Sequence, residues 1–300
     1  MTIQISRFAE KHLSAIVSLL NEEYNDPYEF VSFDDERVLS QIRRRDLRIL
    51  VAEDNGKVLG FLGARLEERG EENIFWLGAN AGPNKKSIED LLVNEFEKNA
   101  ARAGDTVSTA VDEGSSSVKD WIGRGYVLNP GWLRMSAKLD GLKPIPEVAE
   151  GTKLRSLRSE EEEKFVEVTN TGFGWKRLEA GVLATWKSED PPFNEEWVQV
   201  AEVDERIVSA VVAKPDTEYN KYLHAQRGYL GPAATLPEFR NKHLASALTT
   251  RAMNFLFEKG ITAVRLGTSE KNTSSINLLR GLGFHVDVIR KVLRKKLNKT

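Results

Sequence analysis

The 300-residue sequence contains no cysteine. Disulfide bonds, thiolate nucleophiles and cysteine-ligated zinc sites are therefore excluded. Histidine is also scarce: the four histidines are His12, His224, His243 and His285, and no two of them lie three or four residues apart. Because histidine metal sites depend on close spacing or on other ligands nearby, we expect no metal in this protein.

Long apolar runs and an excess of charge of one sign are missing as well. No stretch approaches 18 uninterrupted apolar residues, and the first residues lack the apolar region of a signal peptide. The 43 basic residues are balanced by 45 acidic ones, so no overall field attracts nucleic acid. We expect a cytoplasmic protein, monomer or homodimer, that binds neither membranes nor nucleic acid.

The composition is that of a globular protein, with 40% hydrophobic and 29% charged residues, and the length suits two domains. Periodicity over residues 1–140 predicts the order β-α-α-β-β-β-α-β-α-β. Residues 141–151 contain two prolines and two glycines and are interpreted as a linker. Residues 152–300 begin the same order again. We predict an α/β (α+β) fold of two tandem domains, each a mixed, mostly antiparallel sheet flanked by helices.

Two further predictions each concern a single segment. A helix is expected from Ser87 to Ala103, closed by Gly104. The segment Thr169–Trp197 shows no clear periodicity and is rich in aromatic residues, which either line a pocket or belong to the core.

The stretch Ala233–Leu256 carries the chemistry of the second half. An apolar run ends at Leu236-Pro237, a turn with Arg240 and Lys242 follows, and an amphipathic helix begins at once. The first N–H groups of a helix lack internal partners and lie at the positive end of its dipole. This order predicts an anion site for a diphosphate-bearing ligand.

Two motifs in this half resemble those of the GNAT (GCN5-related N-acetyltransferase) family. Arg240–Ala245 (RNKHLA) is similar to its pyrophosphate loop, Arg/Gln-x-x-Gly-x-Gly/Ala, and Asn272–Phe284 (NTSSINLLRGLGF) resembles Asn-x-x-Ala-x-x-Leu-Tyr-x-x-x-Gly-Phe. In the first half only Trp121–Tyr126 is similar to the closing Gly-Phe segment. The loop Gly82–Ser87 keeps neither the arginine nor the small residues.

The resemblance implies a tandem-domain acyltransferase with an architecture similar to that of mycothiol synthase. Its second domain would bind acetyl-CoA, or another acyl-CoA, as co-substrate and acylate a primary amine of a small-molecule or peptide acceptor by direct attack. Its first domain would be degenerate. The resemblance assigns the following residues to acyl-CoA: Ala234, Thr235, Leu236, Arg240, Asn241, Lys242, His243, Leu244, Ala245, Ser246, Asn272, Asn277, Leu279 and Arg280.

Two departures from the family pattern bear on activity. His243 stands where the family usually has glycine, so its side chain must turn outward or crowd the pyrophosphate. Leu279 replaces a tyrosine that often acts as the general acid, and leucine donates no proton. These departures motivate a second hypothesis, a non-catalytic acyl-CoA-binding or regulatory protein, and a third, a structural pair of degenerate domains.

The general base is not fixed by the sequence. Candidates are His224, before the strand that ends at Leu236, Glu202, on the preceding hairpin, and Glu270, just beyond the next strand. The alternative for each is a solvated surface group.

Overall fold

The computed structural model describes residues 2–25, 29–67, 70–100 and 106–297. The chain forms two compact units: unit 1 contains residues 1–132 together with 288–300, and unit 2 contains residues 133–287. Both unit boundaries fall inside strands, because the strands Val127–Lys138 and His285–Lys296 each contribute one part to each unit. The linker at residues 141–151 remains a prediction of where the first sequence repeat ends and the second begins. The compact units are divided at other positions, after residues 132 and 287.

Unit 1 is a mixed sheet with helices. Its strands follow the order β1-β2-β3-β4-β5-β12, and every registered pair is antiparallel except β4 with β5. Its described elements are β1 (Gln4–Arg7), α1 (Leu13–Glu23), α2 (Asp35–Arg44), β2 (Arg48–Asp54), β3 (Lys57–Leu66), β4 (Glu72–Ala79), α3 (Lys85–Ala100), β5 (Thr106–Asp112), α4 (Ser117–Gly123), the first part of β6 (Val127–Lys138) and the last part of β12 (His285–Lys296).

Strand alternation gives unit 1 two hydrophobic cores. In β2, Ile49 and Val51 pack with α1 and α2, whereas Leu50 and Ala52 face the cluster that contains α3. Because successive side chains of a strand point to opposite faces, the two clusters lie on opposite sides of the sheet.

Unit 2 repeats this architecture. Its strands follow the order β6-β11-β10-β9-β8-β7, with β10 and β11 parallel and the pairs from β7 to β10 antiparallel. Its described elements are the last part of β6, β7 (Lys153–Ser156), α5 (Glu162–Phe173), α6 (Val182–Glu189), β8 (Val198–Val203), β9 (Arg206–Pro215), α7 (Thr217–Leu223), β10 (Arg227–Thr235), α8 (Leu244–Glu258), β11 (Ala263–Ser269), α9 (Thr273–Gly281) and the first part of β12.

The repeat extends to single hydrogen bonds. Asn21, at the end of α1, donates to and accepts from the backbone of Phe33 at 2.9 and 2.8 Å. Asn170, 149 positions later on α5, makes the same pair of bonds with Leu178. The first strands are in equivalent register as well, since β1 and β7 pair with β2 and β8 at positions that are also 149 apart.

The predicted α/β fold of two tandem halves is confirmed, and three local predictions need comment. The segment Thr169–Trp197 is more regular than expected, because it contains the end of α5 and all of α6. The helix α7 was not predicted, since none of its seven described residues is buried and it therefore has no apolar stripe. The expected end of the third helix at 101–104 lies outside the described residues.

Candidate functional site

A gap opens between two parallel strands of unit 2. β10 is in parallel register with β11 only from Arg227 to Tyr229, opposite Ala263–Arg265. Beyond Tyr229, β10 continues to Thr235 in register with β9, after a bulge between Leu230 and Ala233. The far half of β10 thus has a paired edge toward β9 and an unmatched edge on the side from which β11 has diverged.

The hydrogen-bond pattern identifies which backbone groups line this gap. Leu236 N–H donates to Val208 O at 2.9 Å, so these two residues form a hydrogen-bonded pair of the antiparallel ladder. Such pairs alternate with pairs whose backbone groups point away from each other. Ala234 therefore faces β9, whereas Ala233 and Thr235 direct their N–H and C=O groups into the gap. We call Ala233–Thr235 the backbone strip.

A basic loop joins the backbone strip to α8. A 3-10 turn at Pro237–Phe239 follows the buried Leu236, and then Asn241 and His243 both have positive φ, 61° and 59°. Asparagine and histidine are among the non-glycine residues that adopt this left-handed conformation most often. His243 therefore adopts a left-handed conformation, which glycine would adopt without steric cost, and α8 begins at the next residue.

The start of α8 has the properties of an anion site. The helix begins at Leu244. Within the described segment 106–297, the side chain of the N-cap residue His243 forms no capping hydrogen bond with this helix, and the first turn of the helix contains no acidic residue. The helix is 15 residues long, so its first N–H groups lie at the positive end of a full dipole. Ser246 directs its hydroxyl to His243 O at 2.8 Å, which stabilises the loop from the helix side.

Arg240 connects the loop to the rest of the site. Its guanidinium Nη2 donates to Gly172 O at 2.8 Å, and its Nε lies 3.4 Å from Thr235 O. Lys242 places its Nζ 4.8 Å from the centre of the Phe239 ring. Both cations are exposed, so the loop presents positive charge to solvent beside the start of α8.

The residues predicted to bind acyl-CoA on β10 and the loop lie together. Ala234, Thr235 and the segment Arg240–Ser246 surround the end of the gap and the start of α8, as described above. Leu236 and Leu244 belong to the same segment, but they are 2% and 3% exposed, so their side chains serve the core and only their backbone can face a ligand.

The predicted residues of the second motif divide into two groups. Asn272 lies past the end of β11 and caps α9, because its Oδ1 accepts from Ser275 N–H at 3.1 Å. Asn277 and Arg280 are exposed on α9. Leu279 is 3% exposed, so the leucine that replaces the family tyrosine packs into the core.

The three base candidates occupy different ends of the sheet. His224 is exposed and ends α7, at the start of β10 and thus at the opposite end of that strand from the gap. Glu270 is half-buried in the turn between β11 and α9. Because the carboxyl ends of parallel strands share one edge of a sheet, Glu270 lies at the same edge as the loop.

Glu202 is engaged in an ion cluster that ties β7 to β8. Its carboxylate accepts from Arg155 Nε at 2.9 Å and Nη2 at 2.5 Å, and Arg155 also forms a two-bond pair with Glu161. Hydrogen bonding to Arg155 lowers the pKa of both carboxyl groups. Unit 1 has Glu53 at the equivalent position, bonded to Ser6 on its first strand. This repeated arrangement favours a structural role for Glu202 over that of a base.

The cluster predicts a pH-dependent stability. A carboxyl group whose pKa is lowered by folding stabilises the folded state above its ordinary titration range, and this contribution is lost as the pH falls through about 4 and below. Arg155→Met is expected to cost about 2 kcal/mol at pH 7 and to flatten the loss of stability between about pH 5 and 3. Urea unfolding at pH 7, 5 and 3.5, followed by tryptophan fluorescence, measures both effects.

Arg158→Met provides the matched control, because the Arg158 guanidinium is mostly exposed and only approaches Glu161, at 3.9 Å. This variant should behave as the wild type. An Arg155→Met protein with the wild-type pH dependence would contradict the assignment of the cluster.

The end of α5 is a part of the site that the sequence did not indicate. A Cβ added to Gly172 would lie 2.9 Å from Ala234 Cβ and 3.2 Å from Thr235 N. The helix therefore approaches the backbone strip more closely than any side chain would permit. Phe173, the next residue, is 38% exposed and stacks edge-to-face on Trp175.

The other aromatic residues of this region pack on further aromatic rings. Trp186 packs between Phe165 and Phe193 with ring centres 6.3 and 5.6 Å away, and Trp197 packs on Phe255. Of the two interpretations of the aromatic segment, the core applies to the buried Phe193 and Trp197, whereas Trp186 is half-buried. Phe173 directly follows Gly172, which approaches the backbone strip.

Among the residues that the structure describes, no three His, Asp or Glu side chains are grouped so that they could hold a metal ion. No helix in the same residues is long and apolar enough to cross a bilayer.

Diverging parallel strands, a basic loop and a helix start without a side-chain cap thus lie together in unit 2. Residues 154–284 match the model of the acetyltransferase (GNAT) family, and this part of the chain belongs to that family. No curated protein sequence matches the chain.

Solved structures extend the similarity to the whole chain. A GCN5-related N-acetyltransferase from Sphaerobacter thermophilus has a TM-score of 0.75 at 18% identity, over 98% of this chain and 95% of that one. A tandem GNAT protein from the clavulanic acid biosynthesis pathway has a TM-score of 0.73 at 15% identity, over the full length of both. At these identities the similarity shows the fold, which is that of tandem GNAT proteins.

Proposed function

We propose that this protein is an N-acyltransferase that binds acetyl-CoA, or a related acyl-CoA, in unit 2 and transfers the acyl group to a primary amine. The observation that carries the proposal is the backbone strip Ala233–Thr235, open on one edge and followed directly by the basic loop and the start of α8. Acyl transfer in general agrees with the family to which residues 154–284 belong.

Each part of the site suits one part of the ligand. The amide groups of the pantetheine arm would pair with the backbone strip as an added strand does at a sheet edge. The pyrophosphate would accept from the first N–H groups of α8 and from Arg240 and Lys242. Asn272, at the far side of the gap, would contribute a side-chain amide to the pantetheine.

The chemistry is a direct displacement at the thioester. The nitrogen of a neutral amine attacks the carbonyl carbon, a C–N bond forms, and the C–S bond breaks to release the CoA thiolate. The Ala233 N–H points into the gap and would donate to the oxyanion of the tetrahedral intermediate. The proton lost by the amine balances the one taken up by the thiolate, and Glu270 is our preferred proton acceptor because it lies at the same edge of the sheet.

A second candidate is an acyl-CoA-binding protein without catalysis. The position of Leu279 favours it, because a buried leucine leaves no hydroxyl at this point of α9 to protonate the leaving thiolate. Solvent would then have to supply that proton, and turnover would be slow.

Two measurements test the function. Isothermal calorimetry with acetyl-CoA is expected to give a dissociation constant below about 1 mM. Release of free thiol from acetyl-CoA is then followed over a panel of primary amines, including amino acids, amino sugars, polyamines and peptides with a free N-terminus. Amine-dependent thiol release supports the enzyme, binding without release supports the second candidate, and no binding contradicts both.

A further inference from the structure

Unit 1 retains a strand gap of the same kind. β4 is in parallel register with β5 only from Glu72 to Ile74, and β4 then continues to Ala79 in register with β3 alone. Asn80 N–H donates to Leu59 O, so by the same alternation Leu77 directs its backbone groups away from β3. Leu77 therefore takes the place in unit 1 that Ala233 takes in unit 2.

The backbone amide at this gap is already bonded within the chain. Leu77 N–H donates to the hydroxyl of Tyr24 at 3.3 Å. Tyr24 directly follows α1, and although part of its ring is exposed, burial raises the pKa of its hydroxyl to about 12. The hydroxyl is thus neutral at physiological pH and occupies the donor that a bound thioester would need.

A carboxylate from the same helix end is paired with the first side chain of α3. Glu23 accepts from Lys85 Nζ at 2.5 Å, and Lys85 is the first residue of α3. The Glu23 side chain also lies over β4, since its Cβ is 3.6 Å from the position that a Cβ of Gly78 would take. An acidic group of the chain itself therefore lies over β4 and is paired with the cation at the first position of α3, the helix that corresponds to α8.

The connection between strand and helix is shorter in unit 1 as well. Residues 80–84 join β4 to α3, whereas residues 236–243 join β10 to α8. The three missing residues remove any counterpart of the 3-10 turn that positions Arg240.

Unit 2 has neither of these groups. At the offset of 149 that relates Asn21 to Asn170, Tyr24 corresponds to Phe173 and Glu23 corresponds to Gly172. Phe173 has no hydroxyl that could accept from the gap, and Gly172 has no side chain. The same helix end therefore approaches both strand gaps, and it brings two polar groups to one gap and none to the other.

We infer that Tyr24 and Glu23 are a built-in occupant of the gap in unit 1, and that Phe173 and Gly172 keep the gap in unit 2 open. The chain then binds one molecule of acyl-CoA, in unit 2. The choice of ligand rests on the proposed function, whereas the occupation of the gap in unit 1 does not.

The first test needs no ligand. Tyr24→Phe removes one oxygen atom and is expected to accelerate hydrogen exchange of the Leu77 amide about tenfold, because this amide loses its acceptor. Amide exchange measured by NMR reports the residue directly. Tyr222→Phe, on α7 of unit 2, is the matched control and should leave Leu77 unchanged. Unchanged exchange at Leu77 in Tyr24→Phe would overturn the assignment of the hydroxyl.

The second test uses the reciprocal exchange of side chains. Calorimetry with acetyl-CoA is expected to give one site per wild-type chain. Phe173→Tyr places a hydroxyl beside the backbone strip and should weaken binding about tenfold, whereas Tyr24→Phe should bind as the wild type does. Two sites per wild-type chain, or an unchanged affinity in Phe173→Tyr, would overturn the inference. Complete absence of binding would instead count against the proposed function and leave the first test valid.

Discussion

Arg240→Ala is expected to weaken acetyl-CoA binding by about 10- to 100-fold. Charge-assisted hydrogen bonds contribute about 1.5 to 3 kcal/mol each, and this range corresponds to that change in affinity. The variant also loses the bond from the guanidinium to Gly172 O, which holds the loop against the end of α5. Calorimetry at two salt concentrations measures the affinity and its electrostatic part, which should be smaller in the variant.

The same experiment has matched controls on both ends of α8. Lys259→Ala removes an exposed cation just after the helix and should leave the affinity unchanged. His243→Gly keeps the positive φ without the strain of a side chain, and it should bind acetyl-CoA as well as the wild type or a few-fold better. Weaker binding in His243→Gly would show that the imidazole contacts the phosphate, and wild-type binding in Arg240→Ala would place the pyrophosphate elsewhere.

Gly131→Ala is expected to destabilise unit 1 by about 3 kcal/mol, which lowers the melting temperature by about 10 °C. A Cβ at this position of β6 would lie 1.9 Å from Arg290 O and 3.2 Å from Lys291 Cα. Both obstacles are backbone atoms of β12, so no side-chain rotation relieves the overlap. The two strands would have to move apart. Differential scanning calorimetry measures the shift.

Gly123→Ala is the control within the same unit. Nothing lies within 4 Å of a Cβ at Gly123, which is the last residue of α4. Alanine there should be neutral or stabilising by up to about 1 kcal/mol, as its helix propensity predicts. Equal melting temperatures for Gly131→Ala and Gly123→Ala would refute the close approach of β6 to β12.

Much of the architecture was accessible from local sequence patterns. Alternation and helical periodicity indicated the order of the elements, and the repetition of that order indicated two tandem halves. The elements that escaped prediction have weak local signals: α6 has eight residues and one buried side chain, and α7 has none. Pattern-based prediction depends on an apolar stripe, which these short helices lack.

The candidate site was only partly accessible in the same way. The loop Arg240–Ala245 and the motif that begins at Asn272 are contiguous in the sequence, so their resemblance to a family could be recognised. From the sequence alone, Glu202 and Glu270 were equivalent candidates for the general base. The hydrogen bond from Arg155, on the neighbouring strand, to Glu202 is visible only in the structure. The close approach of Gly172 to the backbone strip could not be predicted either, because Gly172 and Ala234 are more than 60 residues apart in the sequence.

The sequence by itself therefore determined the class of fold, the repeat and the segment that carries the basic loop, because these depend on residues close together in the chain. Only the tertiary structure decided where β10 and β11 diverge, which backbone groups face the gap, and which strands belong to each unit. It also decided that Tyr24 occupies the gap of unit 1 while Phe173 leaves that of unit 2 open. The physical reason is that strand pairing and helix approach join distant residues, and their geometry has no signature in local periodicity.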